Sequence, residues 1–228
     1  MTTRIAIFFH TLFYLGKPPK FLPGAAHIVR EQIAEMKDSG LLDAADEIVV
    51  GCNGGNESLA VAKSLFLPRT RFVMHGLESR AENLTIVELE KWAPSHPGWS
   101  VLYLHAKGCT HNPQSSYALN NSGPWRRGMM VDLVANWKQC VTDLKDHDIV
   151  CSHWMWNMAD GTQHIPAGNF LWVRSDFVGR LPSIYNRERI KMSGIASAES
   201  RYEAEVYWGN GPRPTVKQYR PDGGGGVP

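Results

Sequence analysis

The chain has 228 residues, is 43% hydrophobic and 20% charged, and carries a formal net charge of +2. This is the composition of an ordinary globular protein long enough to bury a substantial core. So small a charge gives no electrostatic case for a nucleic-acid or membrane-surface partner, and no apolar run approaches the length of a membrane span.

The first half alternates short β-rich runs with helical patterns, which predicts a mostly parallel sheet flanked by helices. Ile5 to Phe9 reads as the first strand, Ala25 to Met36 as a helix, and Glu47 to Val50 as the second strand. Ser58 to Leu65 follows as a short helix, Arg71 to Met74 as the third strand, and Asn83 to Trp92 as a helix with Asn83 as its N-cap. Val101 to Leu104 is the fourth strand, and residues 109–124 form a polar stretch longer than a routine connection. Trp125 to Leu144 is the longest helical pattern, Asp148 to Cys151 a fifth strand, and Phe170 to Val173 another after the polar loop 157–168. A short helix is expected over Ser175 to Arg180 and a last one over Ser197 to Trp208. Residues 1–210 thus read as one domain and 211–228 as a Gly- and Pro-rich tail, extended or disordered.

The four cysteines (Cys52, Cys109, Cys140, Cys151) lack C-x-x-C spacing, and Thr2-Thr3-Arg4 leads into a strand pattern rather than a targeting segment. Reduced thiols in a cytoplasmic protein are the expectation. The sequence holds no G-x-G-x-x-G after the first strand, no P-loop, no H-E-x-x-H and no G-x-S-x-G. These absences argue against a dehydrogenase, a P-loop kinase, a zincin and an α/β-hydrolase. Cys109 with His111, and Cys151 with His153, lack zinc-site spacing.

Chemistry concentrates at strand ends. In open α/β sheets ligands bind beyond the carboxyl ends of the strands. There the chain places His10, Gly51-Cys52-Asn53-Gly54-Gly55, His75 and, after Val101-Leu-Tyr-Leu, His105-Ala-Lys107-Gly108. A single histidine at such a place is most often a hydrogen-bonded rim or core residue. Several at one edge, with a glycine-rich turn and a lysine, suit a nucleotide. A second block runs from His164 through Gly168-Asn169-Phe170-Leu171-Trp172 and combines a permissive backbone, an amide and rings that stack on sugars. Its plainer explanation is a turn before a buried strand. A third block, Arg201-Tyr-Glu203-Ala-Glu205-Val-Tyr207-Trp208, offers a carboxylate base, or merely a solvated helix face.

Four motifs in order, Tyr103-Leu-His-Ala-Lys-Gly108, Trp125-Arg126, Gly168-Asn-Phe-Leu-Trp172 and Ala204-Glu-Val-Tyr-Trp208, resemble those of small bacterial and viral GT-A-like glycosyltransferases. That pattern is a YLHTKG-type strand end, a Trp-Arg opening a long helix, a GNFWW segment and an AExW element. The likeness spans about residues 80–210; here Ala106 replaces a hydroxyl residue and Leu171 an aromatic one.

The resemblance implies a single GT-A-like (Rossmann-like) α/β domain that moves a sugar from a nucleotide-sugar donor to a glycan or polysaccharide acceptor. His105 and Lys107 stand where GT-A enzymes carry Asp-x-Asp. Transfer is therefore expected to need no metal, with Lys107, aided by Arg126, stabilising the departing diphosphate. The alternative is Mn²⁺ or Mg²⁺, for which Asp146-His-Asp148 is a rival site on the wrong side of a strand. Glu205 is the expected base and Glu203 its near alternative. The donor residues expected are His10, Asn53, His75, Asn83, His105, Gly108, Trp125 and Arg126; those for the acceptor are His153, His164, Gly168, Asn169, Trp172 and Trp208. A competing reading is a non-catalytic carbohydrate- or nucleotide-binding module on the same fold.

Overall fold

The computed structural model describes residues 3–15, 20–76, 82–112, 114–156, 164–186 and 203–220. Its centre is a seven-stranded sheet: β1 (Ile5–Leu12), β2 (Glu47–Asn53), β3 (Arg71–His75), β4 (Ser100–His105), β5 (Ile149–Cys151), β6 (Leu171–Arg174) and β7 (Val216–Gln218). The spatial order is β7-β5-β6-β4-β1-β2-β3. β1 pairs in parallel with β2 and β4, β2 with β3, and β5 with β7, while β6 runs antiparallel between β4 and β5. The expected α/β architecture with a mostly parallel sheet is what the chain adopts.

β1 is a near-continuous apolar run because it is central and covered on both faces. Its alternate side chains divide between two cores. Ile5, Ile7 and Phe9 join one, with α1 (Pro23–Asp38), and Ala6 and Phe8 join the other, with Leu89 and Trp92 of a helix described below. Proline suits the first turn of α1, where its missing N–H costs no hydrogen bond, and Gly40 just beyond the end takes φ +75°. α2 (Gly55–Leu65) follows β2, and α3 (Asn83–Trp92) precedes β4. Asn83 is the first residue of α3 rather than its cap; Glu82 holds the cap position.

Three expectations change. The helix predicted over 125–144 is divided into α4 (Gly123–Met130), a π-helical turn (Val131–Ala135) and α5 (Trp137–Asp143). The widened turn frees a carbonyl that Trp172 takes: its Nε1–H donates to Leu133 O at 2.7 Å. The segment expected as tail returns to the sheet as β7, and beyond it Arg220 donates from Nε to Asp132 Oδ2 at 2.7 Å and from Nη2 to Oδ1 at 3.1 Å. Of the last helix, residues 197–202 lie outside the described region; α6, the short helix Ser175–Val178, and α7 (Glu203–Val206), which runs into a 3₁₀ turn to Gly209, bracket that stretch. Among the described residues no helix is long and apolar enough to cross a membrane.

Candidate functional site

β1 and β4 lie side by side and their pairing ends with His10 opposite His105, β1 running two residues further beside β2. The chain then turns through Lys107 and Gly108; Gly108 sits at φ +86°, and a Cβ there would press on Ser122 Oγ at 3.0 Å. Above these ends opens a cleft of about 320 Å³ lined by His10, Leu12, Glu82, His105, Lys107, Gly108, His111, Tyr117, Trp125 and Glu205, among others. The volume is in the range of small-molecule sites.

The floor of the cleft is a network that converges on Glu82. Tyr103 Oη donates to Glu82 Oε2 at 3.2 Å, and Asn169 Nδ2 donates to the same oxygen at 2.6 Å. Asn169 is itself fixed by the indole N–H of Trp208, 2.7 Å from its Oδ1, and by a left-handed backbone at φ 56°. On the other side Glu82 Oε1 lies 3.1 Å from His105 Nδ1, while His105 Nε2 lies 3.0 Å from Gly168 O. A carbonyl only accepts, so Nε2 carries a hydrogen. Nδ1 and Oε1 would then meet lone pair to lone pair unless one proton lies between them. Burial pushes Glu82 up to about 7, against the opposing pull of Asn169, Lys107 and Tyr103. Burial, and then the Lys107 charge, push His105 down to about 3. Both directions put the shared proton on the glutamate side.

The ammonium of Lys107 lies 3.9 Å from the centroid of the Trp125 ring. Arg126 is committed elsewhere: its Nη2 meets Glu31 Oε2 at 2.7 Å and its Nη1 donates to Lys107 O at 3.2 Å, with 6% of the residue exposed. It anchors the turn that carries Lys107 onto α1 rather than facing the cleft. Beside His10, Thr85 Oγ1 sits 2.8 Å from His10 Nδ1 and 3.2 Å from His75 Nε2, which buries both rings against α3. Burial, followed by the neighbouring His75 and His105, holds His10 well below its usual pKa.

The fold therefore brings together at the cleft six of the residues expected from sequence: His10, His105, Lys107, Gly108, Trp125 and Glu205. Gly168, Asn169 and Trp208 form the support beneath it. Gly168 has φ +84° and no room for a Cβ, which would lie 2.7 Å from Met129 Sδ. His75, Asn53 and Asn83 are buried at the ends of β3, β2 and the start of α3. Trp172 is fully buried at the π turn, and His153 Nδ1 donates to Arg220 O at 2.8 Å, so neither lines the cleft. The side chains of His164 and Glu203 lie outside the described residues.

Asp148 accepts from Thr215 N and Oγ1 and pairs with Arg180 at 2.8 Å, at the start of β5 and away from the cleft. Among the described residues no cluster of three or more His, Cys, Asp and Glu has the arrangement of a metal site.

Sequence reasoning missed Glu82, Tyr103 and Thr85. Glu82 had one usable signal, an acidic residue directly before a helix N-terminus, where the dipole favours negative charge.

Likeness to solved structures spans most of the chain at low identity. HddC from Yersinia pseudotuberculosis is 8% identical with a TM-score of 0.47, over 96% of this chain and 90% of that one. A provisionally named nucleotide-diphospho-sugar transferase from Desulfovibrio desulfuricans G20 is 14% identical with a TM-score of 0.45, over 95% and 80%. Rv0371c from Mycobacterium tuberculosis H37Rv, in complex with manganese, is 18% identical with a TM-score of 0.38, over 86% and 85%. At these scores the likenesses bear on neither substrate nor mechanism. Comparison with curated proteins gives no match. A family model described as a domain of unknown function, DUF8361, matches residues 9–213, and the chain belongs to that family.

Proposed function

We propose that the protein is a nucleotide-sugar-dependent glycosyltransferase acting on a glycan or polysaccharide acceptor. The observation that carries this reading is the cleft at the carboxyl ends of β1 and β4, which gathers a lysine, an indole face and two carboxylates in one small volume. A diphosphate needs the cation, a nucleoside or sugar ring suits the indole, and an acceptor hydroxyl needs a carboxylate. In this reading Lys107 stabilises the charge that develops on the diphosphate as its bond to the sugar breaks. Glu205, half-buried at the rim, takes the proton of the attacking hydroxyl. Metal independence is part of the proposal and follows from His105 and Lys107 standing at the strand end.

Calorimetric titration with UDP, GDP, dTDP and CMP and their sugar conjugates, with chelator and with Mn²⁺, tests it. One nucleotide family should bind in chelator, and Lys107→Ala should weaken that binding about tenfold or more, the loss of one charge-assisted hydrogen bond. Transfer that stops in chelator and returns with Mn²⁺ would overturn metal independence. Absence of binding by every nucleotide would overturn the reading as a whole, and binding without any transfer would favour a binding module.

A further inference from the structure

Among the described residues, Glu82 is where the separate motifs of the chain meet. Tyr103 and His105 come from β4, Asn169 from the turn before β6, and Trp208 from the 3₁₀ turn after α7, and all four hold its carboxyl group directly or through one intermediate. This is more hydrogen bonding than a helix-capping residue needs; indeed its side chain caps nothing in α3. The same carboxyl group lines the cleft together with Lys107.

We propose that Glu82 is a ligand-site residue of the cleft, and that the Glu82–His105 pair takes up one proton from solvent when an anionic diphosphate enters. The inference rests on the nucleotide-sugar reading above. A doubly esterified diphosphate carries two negative charges near neutral pH. Beside it a bare carboxylate is repelled, whereas a pair that holds one proton is neutral as a whole and adds no repulsion.

The geometry makes the pair suited to this. Its Nδ1–Oε1 distance of 3.1 Å accommodates a proton, the outer positions are pinned by Gly168 O, Tyr103 and Asn169, and burial has already moved Glu82 up to about 7. The other titratable groups lining the cleft are Lys107, His10, His111, Cys109, Tyr117 and Glu205, and Tyr103 bonds Glu82 from β4. Burial pushes the Cys109 thiol up to about 12 and holds His10 far below neutrality, so neither exchanges a proton near pH 7.

Titration calorimetry, in MES and in cacodylate at pH 6 and in HEPES and in Tris at pH 8, counts the protons taken up on binding. The probes are UDP-glucose, GDP-mannose, dTDP-glucose and ADP-glucose, whose diphosphates do not titrate in this range. The nucleotide sugar that binds should take up almost no proton at pH 6 and most of one proton at pH 8. Its affinity should fall above pH 7, approaching tenfold per pH unit. Glu82→Gln should abolish both the uptake and the pH dependence. Infrared difference spectra of the ligand-free protein should show a protonated carboxyl band at pH 6 that is lost by pH 8.5 and absent from the E82Q protein, whether or not that variant binds.

Binding without uptake, uptake that persists in E82Q, or absence of the carboxyl band would overturn this inference and leave the nucleotide-sugar reading intact. Binding by none of the four sugars, nor by any nucleotide or conjugate of the wider panel above, would overturn that reading, and this inference would fall with it.

Discussion

Gly51 lies within β2, in a backbone region open to any residue, and what excludes a side chain there is space. A Cβ at this position would sit 1.9 Å from Thr85 Oγ1, 3.0 Å from Thr85 Cβ and 2.8 Å from His75 Nε2. Thr85 is fully buried and bridges His10 and His75. Gly51→Ala therefore forces Thr85 to move and breaks both of its imidazole contacts. Leaving buried polar groups unpaired costs about 1–3 kcal/mol each, and overpacking costs about 1–3 kcal/mol. The smaller entropy of the unfolded alanine chain offsets only about 0.4–1 kcal/mol. A net loss of about 3–5 kcal/mol follows, which for a chain of this size lowers Tm by roughly 6–20 °C.

Thermal and urea unfolding of four proteins measures it: wild type, G51A, T85A and the double variant. Removing Thr85 Oγ1 takes away the closest contact and leaves only those with His75 Nε2 and the Cβ of residue 85. G51A should therefore cost about 1–3 kcal/mol in the T85A background, clearly less than in the wild type. A G51A protein within about 1 °C of wild type, or one equally destabilised with and without Thr85, would refute the steric reasoning.

The Glu82–His105 pair makes a prediction about acid stability. With Glu82 moved from 4.5 up to about 7 and His105 from 6.5 down to about 3, the folded pair holds one proton between about pH 4.5 and 6.5, and so does the unfolded pair. The pair therefore adds no slope to stability in that window. Below about 4.5 the unfolded chain binds a second proton that the folded pair refuses, and stability is lost at up to about 1.4 kcal/mol per pH unit. Glu82→Gln removes the compensating carboxyl group, so His105 alone should make stability fall as pH drops below 6.5. Urea titrations from pH 4 to 7.5 with parallel slopes for the two proteins would refute the shared proton. Trp172→Phe withdraws the only N–H given by that side chain to Leu133 O and should cost about 1–3 kcal/mol. Amide exchange should then rise first within residues 131–135, and unchanged protection there would separate the indole from the π turn.

Much of the fold is legible locally. The apolar runs that start at Ile5, Glu47, Arg71 and Val101 become four parallel strands. They extend by one to three residues because side chains such as His10 and Asn53 are buried by neighbours that the strand itself does not reveal. β6 reads as a strand from its aromatic and β-branched residues, but its antiparallel direction depends on what lies beside it. The π turn is hidden from helical periodicity, since the partner of its freed carbonyl is Trp172, 39 residues away.

The candidate site divides along the same line. Sequence by itself determined that a histidine, a lysine and a glycine follow a buried strand, because strand period and turn chemistry are properties of neighbouring residues. Only the tertiary structure decided which cation faces the cleft. Arg126 and Lys107 carry the same positive charge on paper, but Glu31, 95 residues away, pairs with Arg126, while Lys107 lies over Trp125. Only the tertiary structure, too, made Glu82 a proton-sharing group. Its partners Tyr103, His105 and Asn169 lie 21, 23 and 87 residues further along, and burial, which sets the charge of a carboxyl group, is a property of the packed fold rather than of any segment.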